Sequence, residues 1–150
     1  VPQLRMKRIQ IATAFDPSRP RIAGSPSELQ QVLVNLILNA ADAMDGCRDK
    51  QLTLGTGRDG PFGVFSVRDT GRGLTPEAQE RLFTPFFTTK PSGQGTGLGL
   101  SVSQRIVKQH GGDIRADTDP GMGTVFTVRI PLVTADPAEA PREAGEAASG

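Results

Sequence analysis

Gln31, Asn35, Asn39 and Asp42 recur at spacings of four, four and three, so on a helix they share one face. Their neighbours Val32, Leu33, Leu36, Ile37, Ala40 and Met44 make most of that helix apolar. An amide row on so apolar a helix costs free energy unless water, a partner or a ligand meets it. A solvated outer face and a ligand-facing stripe both meet that condition. Asp69-Thr70-Gly71-Arg72-Gly73 follows a run with strand alternation. A carboxylate at a strand end can accept a hydrogen bond from an exocyclic amine, and two glycines beside it let the backbone approach a flat ring. A turn with a capping Asp has the same spelling. Gly93-Gln94-Gly95-Thr96-Gly97-Leu98-Gly99-Leu100-Ser101 opens a helical stretch. Its glycines free backbone N–H groups to converge, and a helix start adds partial positive charge, which together suit a phosphate. A flexible loop is the alternative. No Gly-Lys-Ser/Thr follows, so this is not a Walker loop, and the glycines do not follow a strand as a dinucleotide-binding turn requires. Gly121-Met122-Gly123-Thr124 is by itself a turn, with a small hydroxyl that could reach the same ring indirectly.

Positioning these groups takes strands and helices in mixed order. Residues 7–15 alternate, with Ile9 and Ile11 on one face, and Asp16-Pro17-Ser18-Arg19-Pro20 breaks the run. Ser25-Pro26-Ser27-Glu28 predicts a helix start, with Ser25 as N-cap, Pro26 at the first helical position and Glu28 completing a capping box. That helix runs to about Met44, where Asp45-Gly46 stops it. Residues 51–57 and 62–68 form a hairpin through Arg58-Asp59-Gly60-Pro61. Thr75-Pro76-Glu77 opens one short helix, and a full helix over 98–109 ends at Gly111-Gly112. Strands at 113–117 and 123–130 are joined through Asp119-Pro120-Gly121, and Pro131 ends the last. Five strands and three helices in this order predict an α/β (α+β) sandwich, a mixed sheet packed under helices. Residues 1–133 form the domain. From Thr134 the Ala-, Glu-, Pro- and Gly-rich tail, 134–150, has almost no large apolar residue and is expected to be disordered.

The chain has 150 residues, enough for one domain with a core. Its 36% hydrophobic and 22% charged content fits a soluble globular protein. A net charge of +1 with no basic block argues against nucleic acid or a direct membrane contact. Cys47 is the only cysteine, so no intramolecular disulfide and no cysteine zinc site can form, which suits a cytoplasmic location. No apolar run approaches a transmembrane helix. The chain begins at Val1 rather than methionine, which points to a piece of a longer protein.

Each motif is weak alone, but their order is specific. Asn39, then Asp69-x-Gly71-x-Gly73, then Phe83-Thr84-Pro85-Phe86-Phe87, then the glycine stretch, then Gly121-x-Gly123-Thr124 resembles the N box, first glycine box, F box, second glycine box and third glycine box of sensor histidine kinases. The resemblance covers about residues 8–131. Leu82-Phe83-Thr84-Pro85-Phe86-Phe87-Thr88-Thr89-Lys90 with Gly95-Thr96-Gly97-Leu98-Gly99-Leu100-Ser101 resembles the nitrogen-regulation and dicarboxylate-sensing type.

The resemblance implies a Bergerat-type fold: a five-stranded mixed sheet under three helices, with ATP between helices and a mobile lid. It implies that Asp69 receives the adenine amino group with Thr124 in support, that Gly71 and Gly73 flank the nucleotide, and that Asn39 binds magnesium. Gly95, Thr96, Gly97, Leu98 and Gly99 would hold the phosphates, with Lys90 a phosphate contact from the lid or a solvated lysine. Phe83, Phe86 and Phe87 would anchor the lid and meet the partner helix. Asn35 stands where related ATPases carry a water-activating glutamate; an amide is a poor base, so ATP would survive for transfer to a protein nucleophile. The implied partners are an upstream phosphoacceptor hairpin and a response regulator, with a monomeric domain inside a homodimeric parent. His110, the only histidine, lacks the acidic neighbour of the family's acceptor; it is read as structural, placed where a cation suits a helix end. Asp42 replaces a lysine many members carry, and Lys90 or Arg72 would compensate. The alternatives are a nucleotide-binding pseudokinase, or a serine kinase or ATPase of the same superfamily.

Overall fold

The computed structural model describes residues 8–17, 21–84, 99–119 and 122–133. The elements are β1 (Gln10–Ala14), α1 (Pro26–Ala43), β2 (Gln51–Asp59), β3 (Phe62–Asp69), α2 (Pro76–Arg81), α3 (Gly99–Gln109), β4 (Asp113–Asp119) and β5 (Gly123–Pro131). The strands form one sheet in the order β1-β2-β3-β5-β4, with β1 parallel to β2 and all other pairs antiparallel. This is the mixed five-stranded sheet with three helices that the order of elements predicts. Among the described residues, no helix is long and apolar enough to cross a membrane.

The strand period decides which side the helices cover. Along β5, Thr124, Phe126, Val128 and Ile130 are buried, and the residues between them are half-buried. Their face meets Val32, Leu36, Ile37, Ala40 and Met44 of α1, and Ile106 and Val107 of α3, in one apolar cluster. On the opposite face Arg129 donates to Asp113 at 2.7 Å and to Asp59 at 2.9 Å, and stacks 4.8 Å from the Phe62 ring centroid. The Arg129 hydrogen bonds hold the Asp113 carboxyl below the usual carboxylate range.

Local chemistry sets the boundaries. Ser25 accepts the Glu28 N–H at 3.4 Å as the N-cap of α1, with Pro26 at the first position. Thr75 accepts the Ala78 N–H at 3.1 Å and caps α2 in the same way. The β2–β3 connection is two residues rather than four. Asp59 pairs with Phe62, Gly60 has φ 58° and Pro61 follows, the residue pattern of a II′ turn. At the end of α3, Gly111 (φ 79°) donates to the Lys108 carbonyl at 3.0 Å and Gly112 to the Val107 carbonyl at 3.0 Å. That is a Schellman motif. Gly112 is further required because a Cβ there would collide with the Arg129 carbonyl of β5.

Two expectations need correction, and the strand expected over 7–15 is shorter, Gln10–Ala14, with Ile9 outside it. Arg8 takes φ 59°, Ile9 lies buried just before β1, and Ile11 sits at the sheet edge, 51% exposed. The capping box is also incomplete: the Ser25 N–H is taken at 3.1 Å by His110 Nε2, not by Glu28. His110 in turn is not a cation at a helix end. Nε2 accepts from Ser25, so it carries no proton, and Nδ1 donates to the Ile106 carbonyl at 2.8 Å. This neutral ring pins the end of α3 to the start of α1, and a Cβ at Gly24 would run into it. His110→Ala leaves the Ser25 N–H without its partner, and urea unfolding should show a loss of about 1–3 kcal/mol. A loss under about 0.5 kcal/mol would show that this pin holds nothing.

Candidate functional site

The end of the sheet where β3 and β5 pair as Asp69 with Thr124 gathers the polar groups picked out by the sequence. Asp69 is 2% exposed. Its Oδ1 accepts the Gly71 N–H at 2.8 Å, while Oδ2 is buried and has no hydrogen-bond partner among the described residues. Burial pushes the Asp69 carboxyl above its ordinary range, opposed by the Gly71 and Thr124 N–H groups and by the charge of Arg72. An unpartnered buried carboxylate oxygen is costly to the fold alone, and such atoms concentrate where a ligand supplies the partner.

The loop after β3 is held from three sides. The Arg72 N–H donates to the Ala43 carbonyl at the end of α1 at 3.2 Å. The Leu74 N–H donates to Thr118 Oγ1 of β4 at 2.7 Å. The Thr70 hydroxyl accepts the Gln51 N–H at 3.0 Å and donates toward the Asp49 carbonyl at 3.1 Å. Gly71 has a reason within the fold to be glycine. A Cβ there would collide with the Ala43 carbonyl, so its close approach is to α1. Gly73 takes φ 73°, which only glycine adopts freely. Arg72 also points its guanidinium at the Ala43 carbonyl, 3.4 Å away, where a cation meets the negative end of α1. In this position it caps the helix.

On α1, Asn39 lies half-buried one turn before the helix end, and no hydrogen bond holds its amide among the described residues. Asn35, one turn earlier, is committed to α3. Its Nδ2 donates to the Gly99 carbonyl at 3.2 Å and to Ser103 Oγ at 3.1 Å, and Ser103 itself donates to the Gly99 carbonyl at 2.8 Å. Asn35 thus ties α1 to the first turn of α3 and fixes the gap between them. Of the glycine stretch, Gly99, Leu100 and Ser101 are described, and Gly99 begins α3. Lys90, Gly95, Thr96, Gly97, Leu98, Phe86 and Phe87 lie outside the described residues, as do Pro120, Gly121 and the tail. Phe83 packs partly buried against the core and borders a groove along α3 with Val102, Arg105 and Lys108.

Two polar residues escaped the sequence reading. Ser103 is fully buried, and Thr118 occupies the helix-facing side of β4 together with Ile114 and Ala116. A hydroxyl at a core-facing position of an otherwise apolar pattern was the signal available for both.

The comparisons agree with this fold. The family model of histidine kinase-, DNA gyrase B- and HSP90-like ATPases matches residues 24–134. Sensor histidine kinase ZraS of Klebsiella oxytoca is 42% identical over 127 residues, covering 84% of this chain and 27% of that protein, so the chain spans about a quarter of this relative's length. The catalytic domain of histidine kinase ThkA superposes with a TM-score of 0.75 at 32% identity, covering 87% of this chain and 83% of that one. Full-length ShkA in complex with AMPPNP superposes with a TM-score of 0.78 at 33% identity, over 93% of this chain and 28% of that one. The chain belongs to the family of histidine kinase-, DNA gyrase B- and HSP90-like ATPases, and within it to the catalytic domains of sensor histidine kinases.

Proposed function

We propose that this domain binds ATP with magnesium and donates the γ-phosphoryl group to a histidine on a helical hairpin upstream in its parent protein, for onward transfer to a response regulator. The single observation that carries this reading is the buried, unpartnered Oδ2 of Asp69 beside Thr124. It is an acceptor waiting for a donor at the end of a sheet, which is what the amino group of adenine supplies. The ShkA neighbour bound to AMPPNP supports a nucleotide in this place.

The phosphates would then run from the base toward the gap between α1 and α3. Asn39 offers an amide oxygen there, and the first turn of α3 offers backbone N–H groups. Among the described residues no cluster of three His, Cys, Asp or Glu side chains could cage a metal. Magnesium fits this donor set, because it commonly takes one or two protein ligands and fills its octahedron with phosphate oxygens and water. When bound it supplies charge neutralisation on the phosphates.

The residues of this chain orient the substrate. Asp69 and Thr124 fix the base, Asn35 holds the phosphate end of α3 at a set distance from Asn39, and the face of Phe83 and α3 receives the acceptor helix. Phosphoryl transfer needs positioning more than covalent help from the protein. The acceptor imidazole nitrogen forms the new bond to Pγ, the bond to the β-phosphate oxygen breaks, and ADP leaves. His110 is excluded as acceptor because both its ring nitrogens are already hydrogen-bonded. The parent would act as a homodimer through that hairpin, with this domain in the cytoplasm.

Calorimetric titration tests the reading. Mg-ATP should bind the folded chain, and Asn39→Ala should remove most of the benefit of magnesium while sparing metal-free nucleotide. A folded chain that takes up no ATP with or without magnesium would end the kinase reading for this domain.

A further inference from the structure

We propose that Thr118 fixes the direction of the Thr124 hydroxyl, so that the two side chains on the floor of the nucleotide site, Asp69 and Thr124, only accept hydrogen bonds and thereby select a base whose exocyclic group donates one. This rests on the nucleotide-binding reading above and adds to it a residue that none of the motifs contains. Thr118 Oγ1 has three partners. The Leu74 N–H donates to it at 2.7 Å, the Gly123 carbonyl lies 3.2 Å away, and Thr124 Oγ1 lies 3.1 Å away.

A threonine hydroxyl has one proton and two lone pairs. The Leu74 N–H occupies one lone pair. The Gly123 carbonyl can only accept, so it takes the Thr118 proton. The remaining lone pair can satisfy Thr124 only if Thr124 donates. With all three bonds made, the Thr124 proton points at Thr118, and its oxygen offers only lone pairs to anything else. Thr124 is 6% exposed and paired in register with Asp69, whose Oδ2 is the other unfilled acceptor. Two acceptors side by side welcome an exocyclic amine and repel a carbonyl oxygen in the same position. Thr118 touches no base in this arrangement; it is a positioning residue acting through Thr124.

The test compares ATP with inosine triphosphate, which carries a carbonyl where adenine carries its amine and an N1–H where adenine carries an acceptor, so that the exocyclic position reads the direction of the Thr124 hydroxyl. Dissociation constants for both are measured by calorimetry on the native chain, Thr118→Val and Thr118→Ser, with melting temperatures as the check on folding. In Thr118→Val the Thr124 hydroxyl loses its fixed acceptor and is free to donate into the pocket. The preference for ATP over inosine triphosphate should narrow by about three- to ten-fold. Thr118→Ser keeps the hydroxyl and should keep the preference. A merely structural Thr118, which only anchors Leu74, would weaken both nucleotides by the same factor and leave the ratio unchanged; that result overturns the proposal. If the valine variant does not fold, Thr118→Ala carries the same comparison. Failure of the native chain to bind either nucleotide would overturn the nucleotide site itself, which is a different outcome from an unchanged ratio.

Discussion

Asp69→Asn should weaken Mg-ATP by about ten- to a hundred-fold and, in the same protein, raise the melting temperature of the ligand-free chain. The two effects have one cause. Burial raises the folded-state pKa of Asp69 above its ordinary value of 3.8. Ionising the carboxyl is therefore harder in the folded chain than in the unfolded one. Its favourable contribution to stability is complete only below the ordinary pKa and is lost as pH rises through the raised value. At neutral pH the folded chain carries the cost of a buried charge. An amide in its place keeps an oxygen for the Gly71 N–H, bonded at 2.8 Å in the native chain, and removes the charge. It also turns a donor toward the adenine amine, where an acceptor is needed. By the same sign, ATP affinity of the native chain should decline as pH falls through the raised pKa, because protonation spoils the acceptor. Calorimetry paired with thermal melting checks both arms. A variant that loses affinity and also melts earlier would mean that Asp69 serves the fold as a turn cap and that the loss of binding is secondary.

Phe126→Ala should cost about 3–5 kcal/mol, a large part of the 5–15 kcal/mol that a domain of this size has in total. Phe126 is the largest fully buried side chain among the described residues, 1% exposed. It stands in register with Val67 on one side and Ala116 on the other, under the two long helices. No neighbour of comparable bulk on Ala116 can swing in to fill the space. In urea the midpoint should fall with little change in the slope. Saturating Mg-ATP should recover part of the loss, about 2.7 kcal/mol at a hundred times the dissociation constant. A cost below about 1 kcal/mol would show that the sheet and helices repack around the gap and that this core is less rigid than its burial suggests.

Local signals in the sequence predicted the elements well because they are set by local physics. Ser25-Pro26, Thr75-Pro76 and Gly111-Gly112 mark boundaries through capping geometry; the first two stand where a helix begins and the third where one ends. The strand expected at 123–130 stands as β5. What stayed hidden depends on residues distant in sequence. Glu28 has the right spacing for a capping box, yet His110 arrives from the end of α3 and takes the Ser25 N–H. The contact of Gly71 and Arg72 with the Ala43 carbonyl, at the far end of α1, has no signal in the local sequence. The bonds of Asn35 Nδ2 to Ser103 and Gly99 join residues more than sixty positions apart, beyond any local signal. Asp69 and Thr124 were legible as a pair only through the resemblance to histidine kinases, since no rule of spacing brings those strands together.

The pairing of β3 with β5 has a kinetic meaning. The β2–β3 and β4–β5 hairpins close over short loops and can form early, in microseconds. The β3–β5 ladder joins them across the widest sequence separation in the sheet, spanning α2, residues 82–98 and α3. Long-range closure of this kind is the slow part of folding. Asp69 and Thr124 meet only when that ladder is made, so the nucleotide site does not exist in a half-folded chain. Nucleotide then cannot guide the chain to its native state; it can only hold the finished molecule there, slowing its unfolding and leaving its rate of folding alone.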